Sequence, residues 1–383
     1  MTSKERVRLT FQHRAPDRVP VFEQSVCSAV ASEVLGRSAL TGGGSLRRGE
    51  SEAWLKGEAA HAEFVATMID DVAALVKTVD FDLIRMPWRH TERPTKKLDE
   101  TTYLYGDPKK SFSIYRYDES SDIFDCSDDA VKQRGAAAIQ EQVEAMEKSL
   151  ANGWTPDAQA LLEFDLLTRK AGTDRYVCAP CGGLAVPFHA EWLAAMIEAP
   201  ELIHRYLNGL CEMNLIAMRQ YASHGADCFW AGGDLADNRG VVYGPKAFRE
   251  FLLPPLKRII ALADQLGKPY VFRTDGDTYS IADMLFLEAG VHGYGEIDVD
   301  AGMDLMKLRT RYPKLTLWGG MSCGKVLVDG TEAQIRNEVQ RLIHGLAGQG
   351  GYILGSSNSI HSGVPAKNFI RMLAAARETS IPV

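Results

Sequence analysis

The chain lacks any uninterrupted apolar run near the roughly 20 residues that a membrane-spanning helix needs, so no span is expected. Its start, Met1-Thr2-Ser3-Lys4-Glu5-Arg6, leads into a mixed polar pattern rather than the apolar centre of a signal peptide, and the expectation is a cytoplasmic protein. It lacks a sustained Lys/Arg stripe and carries a formal net charge of -7, which argues against nucleic acid as the main partner and leaves open a local basic pocket for a carboxylate or phosphate. It lacks the dense cysteine framework of a small secreted domain: the seven cysteines are odd in number and scattered, and are expected to be reduced and mostly buried. The Gly-x4-Gly-Lys-Ser/Thr phosphate loop is missing, and no second CxxC accompanies Cys178 and Cys181.

What is present is enough apolar material, 45% of 383 residues, for a substantial core. Short β-branched or apolar runs recur at Arg18 to Glu23, Phe81 to Met86, Tyr176 to Ala179, Asp227 to Ala231, Pro269 to Arg273, Val291 to Ile297, Leu315 to Gly319 and Gly351 to Gly355. Longer helical patterns lie between them, near Ala53 to Lys77, Ala130 to Asn152, Ala190 to His224, Pro245 to Gln265 and Thr331 to Ala347. Eight buried strands alternating with helices predict a closed parallel barrel, because parallel connections need crossovers and closure removes the sheet edges. Two stretches depart from the alternation. Leu98 to Tyr117, around Gly106-Asp107-Pro108, predicts an inserted β-hairpin, and the glycine-rich Thr41 to Gly49 with Arg47-Arg48 predicts a flexible surface loop. With no repeat or linker visible, residues 1–383 are expected to form one domain.

Lys4-Glu5-Arg6-Val7-Arg8-Leu9-Thr10-Phe11 followed by Pro16-Asp17-Arg18-Val19-Pro20-Val21 resembles the opening helix and first strand of the uroporphyrinogen decarboxylase superfamily. Further similar segments are Gly225-Ala226-Asp227 to Gly240, then Gly244-Pro245-Lys246 to Pro255, and Gly350-Gly351-Tyr352-Ile353-Leu354 to Asn368. The resemblance implies an α/β fold, a distorted TIM (β/α)8 barrel with its cleft at the strand C-terminal ends. It extends to the corrinoid-linked methyltransferase branch, which places a zinc-binding His-x-Cys at one strand end and a further Cys near the C-terminus. Here Val271-Phe272-Arg273-Thr274-Asp275-Gly276-Asp277 and Leu354-Gly355-Ser356-Ser357-Asn358 put Arg273, Asp275 and Asn358 at those places. Arginine has no acceptor and stays protonated, so zinc is not expected there in the usual way. Any zinc would need replacements such as Cys178, Cys181, Asp275, His292 or Glu296. The decarboxylase signatures depart too: Glu23-Gln24-Ser25-Val26-Cys27 stands where an Arg-Gln-Ala-Gly-Arg run would be, and Met86-Pro87-Trp88-Arg89 follows the second strand.

The candidate chemistry sits at the strand ends. Asp275 and Asp277 flank Gly276, where paired carboxylates act as base and electrostatic stabiliser, bind a hard metal, or simply cap the next helix. Arg273 suits either an anionic substrate or a rim ion pair. Asp234 is an acid/base candidate in the loop after the fourth strand, where an Asp237–Arg239 salt bridge is the plainer expectation. Glu296 and His292 are separated by an even number of residues and are expected to project to one side. Glu23, Arg85, Asn358 and His361 complete the cleft-facing set. Catalytic roles are assigned to Asp275, Asp234 and Glu296, and substrate binding to Glu23, Arg85, Arg273, Asn358 and His361. The expected activity is methyl transfer from a small substrate to a corrinoid protein, with the corrinoid on that partner because this chain has no Asp-x-His-x-x-Gly module. The alternatives are a carboxy-lyase acting on an acidic substrate and a catalytically silent ligand-binding barrel. A homodimer is a further expectation.

Overall fold

The structure, a computed structural model, describes residues 1–382. Seven short parallel strands form its central sheet: Leu83–Arg85, Tyr176–Ala179, Cys228–Gly232, Tyr270–Arg273, Gly293–Gly295, Thr316–Met321 and Tyr352–Ser356. Their spatial order is their chain order, so the chain winds steadily around one axis. The eighth strand, expected from Arg18 to Glu23, is reduced to a bridge at Val21. Val21 pairs in parallel with Leu354, whose N–H donates to the Pro20 carbonyl at 2.9 Å, while Asp82 N–H donates to the Val21 carbonyl at 3.0 Å. The ladder stops there for a local reason. Pro20 has no N–H to give, and Val21 N–H donates to the Asp82 side chain at 2.8 Å instead of to a strand. Residues 20–22 thus close a distorted barrel between its first and last strands.

Strand alternation fills the interior. Leu83, Cys178, Trp230, Val271, Trp318 and Ile353 pack inside with Phe22. The Trp230 and Trp318 rings meet edge to face at 4.9 Å between centroids. Gly295 makes room for them: a Cβ there would stand 2.1 Å from the Trp318 ring.

The helices form the outer layer, broken in places that periodicity does not show. Ala53 to Lys77 is two helices, Gly43–Lys56 and Glu58–Thr78, divided at Gly57. Ala130 to Asn152 divides at Gly135, and Ala190 to His224 divides at Pro200, which opens the Pro200–Ser223 helix. Pro245 to Gln265 contains a wide turn at Phe248–Leu252. The Glu332–Leu346 helix starts as the sequence indicates: Thr331 accepts from Gln334 N–H while the Gln334 side chain accepts from Thr331 N–H, and Ile335, Val339, Leu342 and Ile343 face the core.

The hairpin placed at 98–117 belongs to a larger antiparallel sheet of four strands, Lys96–Lys97, Thr102–Gly106, Phe112–Asp118 and Ile123–Asp129. Thr41 to Gly49 is not a flexible loop. Its glycines start the Gly43–Lys56 helix against that sheet, where Asp122 accepts from Gly44 N–H through its carbonyl (2.8 Å) and from Ser45 N–H through its carboxylate (2.6 Å). Among the described residues, no helix is long and apolar enough to cross a membrane.

Candidate functional site

Because Leu83 and Val271 point into the barrel, the same period of two turns Arg85 and Arg273 inward one layer higher, at the floor of the mouth. Above them opens a cleft of about 730 Å³. Its walls bring together Asp234, Arg273, Asp275, Glu296, Asn358 and His361, with Arg47 and Asp122 from the helix and antiparallel sheet opposite.

Arg273 is the hub. Its Nη1 lies 2.9 Å from Glu296 Oε2 and 3.7 Å from Asp234 Oδ1. Burial works against its charge, but Glu296 and Asp234 more than offset this and hold its pKa above the ordinary value. Glu296 is 2% exposed, and burial lifts its carboxyl to about 7 in spite of Arg273, with Asp275 and Asp234 pushing the same way. Its backbone sits at φ 57, in the left-handed region that non-glycine residues avoid. Asp275 is also raised, first by burial and then by Asp234. Asn358 Nδ2 donates to Asp275 Oδ2 at 2.9 Å. Of the carboxyls around this guanidinium, Glu296 can therefore hold a proton near neutral pH, and Asp275 is shifted in the same direction.

Arg85 lies at the floor, 8% exposed, with Nε and Nη1 buried and unpartnered. Burial first, and then the nearby Arg273, lower its pKa to about 10. Both guanidinium groups stand 4.6 Å from the centre of the Trp88 ring.

Glu23 is placed differently from the expectation of a cleft-facing binder. It lies beneath the floor, 4% exposed, and accepts from Ser356 N–H at 2.8 Å. Ser356 Oγ is 2.5 Å from both Glu23 Oε2 and the Asn358 carbonyl. One hydroxyl has one proton to share, so a protonated Glu23 supplies the second hydrogen bond. Burial pushes Glu23 to about 8, consistent with that geometry. Through Ser356 it supports Asn358 and does not itself line the cleft.

His292 and Glu296 do not meet. Their spacing spans about 13 Å of extended chain, and the left-handed turn at Glu296 breaks the alternation that would have aligned them. The His292 ring lies at the strand's opposite end, accepting from Tyr270 N–H at 3.1 Å and facing Asp264 at 2.9 Å. Asp277 caps its own turn by accepting from Tyr279 N–H, and Asp237 accepts from the Arg239 backbone N–H rather than forming the expected salt bridge. His361 Nε2 lies 3.0 Å from the Cys323 carbonyl at the cleft edge. Cys178 faces the barrel interior beside its register partner Cys228, whereas Cys181 packs in the surrounding core, so the CxxC is not a pair. Among the described residues, no three His, Cys, Asp or Glu side chains converge as metal ligands. The groups at the mouth do not fit a zinc ion, since a guanidinium occupies one ligand place and Asn358 holds the neighbouring carboxylate.

Sequence reading missed Trp88, Arg47 and Asp122 as wall residues. Trp88 had a faint signal, an aromatic just past a strand end. Arg47 stood out only as part of the Thr41 to Gly49 stretch read as a surface loop, and Asp122 had no signal, because helix and sheet meet there only through tertiary packing.

A methyltransferase from Methanosarcina mazei superposes with a TM-score of 0.62 at 17% identity, covering 99% of each chain, a likeness that shows the fold. A sugar phosphate isomerase/epimerase from Parabacteroides distasonis gives a TM-score of 0.32 at 10% identity, over 64% of this chain and 90% of that one. For 3-keto-L-gulonate-6-phosphate decarboxylase from Vibrio cholerae the TM-score is 0.29 at 12% identity, over 58% of this chain and 80% of that one. A comparison with curated proteins gives no match. The family model described as uroporphyrinogen decarboxylase (URO-D) matches residues 182–379, more than half of the chain and the part that supplies Asp234, Arg273, Asp275, Glu296 and Asn358. The chain belongs to the uroporphyrinogen decarboxylase family.

Proposed function

We propose that the mouth transfers a methyl group from a small substrate to a corrinoid protein, using protonated carboxyl groups where the methyltransferase branch uses zinc. The observation that carries this reading is Glu296, a buried carboxyl near neutrality beside Arg273 and Asp275. When a methyl group leaves an oxygen, sulfur or nitrogen, that atom keeps the bonding electron pair and needs a proton. A carboxyl whose pKa is about 7 can deliver one at neutral pH. Asp275, raised by burial and oriented by Asn358, is the second carboxyl assigned to proton transfer, and Asp234 stands on the exposed side of Arg273. Arg273, Asn358 and His361 position the substrate. The corrinoid, carried by its own protein, supplies a cobalt acceptor, and Asp234, Ile123 and His361 on the exposed rim would face it.

A second reading, a carboxy-lyase acting on an acidic substrate, is favoured by the two guanidinium groups beside Trp88. One experiment separates them. Purified protein is incubated with cob(I)alamin and a panel of methyl ethers, thioethers and methylamines, and separately with a panel of organic carboxylates that includes uroporphyrinogen, and both methylcobalamin and released carbon dioxide are measured. Methylcobalamin formation that is lost in Asp275→Asn and Glu296→Gln supports methyl transfer. Carbon dioxide from a carboxylate, with no methylcobalamin from any donor, replaces it with the carboxy-lyase.

A further inference from the structure

Behind Trp88 lies a second cavity of about 820 Å³, walled by Trp54, Val65, Ile69, Leu162, Leu166 and Tyr221. Arg85 borders it, and Trp88 and Arg89 border both this cavity and the mouth. Its other charged groups have partners, Asp157 only in the Gln159 N–H of the helix it caps. Arg89 is paired with Glu50 and Glu163, His61 with Glu50, and Glu58 with Arg93. Arg85 is the exception: a buried guanidinium with two donors unsatisfied. An uncompensated buried charge costs several kcal/mol, and a buried polar group without a partner in a cavity wall calls for a ligand. All the wall residues except Tyr221 lie outside residues 182–379, so the chamber is built by the N-terminal half of this chain.

We propose that this cavity holds the non-reacting end of the substrate, an organic carboxylate with an apolar body, and that Arg85 anchors its anionic group. The volume suits a small organic molecule, and the aromatic and aliphatic walls would desolvate its body. A single free guanidinium, in a wall where Glu58 and Glu163 are ion-paired and Asp157 is held only by the Gln159 N–H, matches one negative charge rather than a phosphate dianion. With the anion on Arg85, the body runs past Trp88 toward Glu296 and Asp275. Calling this molecule the substrate rests on the reaction proposed for the mouth; the anion site itself does not.

The test is calorimetric titration of the full chain with 3-phenylpropionate and with 3-phenylpropionamide, its neutral counterpart, near pH 7. The carboxylate should bind at least about tenfold more tightly than the amide, because only it pairs with Arg85. Arg85→Met should remove that preference. Ala66→Trp, which fills the cavity from an exposed helix position, should weaken the carboxylate at least about tenfold. Equal binding of acid and amide, no binding of either, or an undiminished preference in Arg85→Met overturns the anchor. If Arg85→Met does not fold, unchanged carboxylate binding in Ala66→Trp overturns it. Carboxylate binding without any methyl transfer sinks the proposed reaction and leaves this site standing.

Discussion

Glu296 sits on a strained backbone, is nearly sealed from water and faces Arg273, a combination that serves proton transfer better than stability. As an acid it must be protonated, so turnover should be highest below about pH 7 and fall as pH rises through that value. Glu296→Gln should lower the rate at least about tenfold, a modest share of a typical acid/base contribution, and erase the alkaline limb. A rate–pH profile of both proteins decides this, and an unchanged limb in the variant removes Glu296 as the acid. Glu23 makes a separate prediction about folding. Its carboxyl titrates near 4.5 when unfolded and about 8 when folded, so between those values the folded protein binds more protons and loses stability as pH rises. The loss is at most about 1.4 kcal/mol per pH unit. Glu23→Gln keeps an acceptor for Ser356 N–H and a donor for Ser356 Oγ, so its stability should be flatter across that range, as denaturant unfolding at several pH values would show. Arg273, Asp275, Glu296 and Asn358 were legible in the sequence because a strand end at a barrel mouth restricts where a side chain can go. Glu23 was misplaced because one residue of register decides between cleft and floor. The Glu296–Arg273 pair was hidden because a left-handed residue overrides alternation.

At the scale of elements, the seam between the Gly43–Lys56 helix and the antiparallel sheet forms the wall opposite the carboxyls. Gly44 is needed there for close approach: a Cβ would meet the Asp122 carbonyl oxygen at 2.5 Å and the Phe124 nitrogen at 2.7 Å. These are backbone atoms of the turn that enters the paired Ile123–Asp129 strand and of the strand itself, and they cannot rotate away. Gly44→Ala should therefore cost about 1–3 kcal/mol, as overpacking does. It should also loosen the Asp122 wall of the cleft. Denaturant unfolding checks the first effect, and hydrogen exchange at Gly44 and Ser45, whose N–H groups are held by Asp122, checks the second. The glycine run looked like a flexible loop because composition does not distinguish glycine used for freedom from glycine used for contact. The Glu332–Leu346 helix was legible to within a residue or two, since Thr331 and Gln334 carry its capping box. The breaks at Gly57, Gly135 and Pro200 were not, because the apolar pattern continues across them and only tertiary packing sets the change of direction.

For the whole molecule, alternating strands and helices made the barrel readable, and what remained hidden was how it closes. Closure depends on segments far apart in sequence. Val21 and Val26 bridge to Leu354 and Ile360, the Trp318 indole donates to the Phe22 carbonyl at 3.0 Å, and Arg377 donates to the Val79 carbonyl. Removing residues 350–383 deletes the Tyr352–Ser356 strand and the Ala366–Glu378 helix together. The Thr316–Met321 strand and residues 20–22 would then expose unpaired backbone groups, and the faces of the Glu332–Leu346 helix and of Phe81 that pack on the lost helix would meet water. The lost backbone bonds and core contacts are long-range, so no local segment can replace them. If the chain folds as one cooperative unit, the truncated protein should show no cooperative thermal or denaturant transition, and its amides should exchange rapidly even in the Tyr176–Ala179 and Cys228–Gly232 strands, on the opposite side of the barrel. A sharp transition with protected amides in those two strands would instead mean that part of the barrel folds without closure.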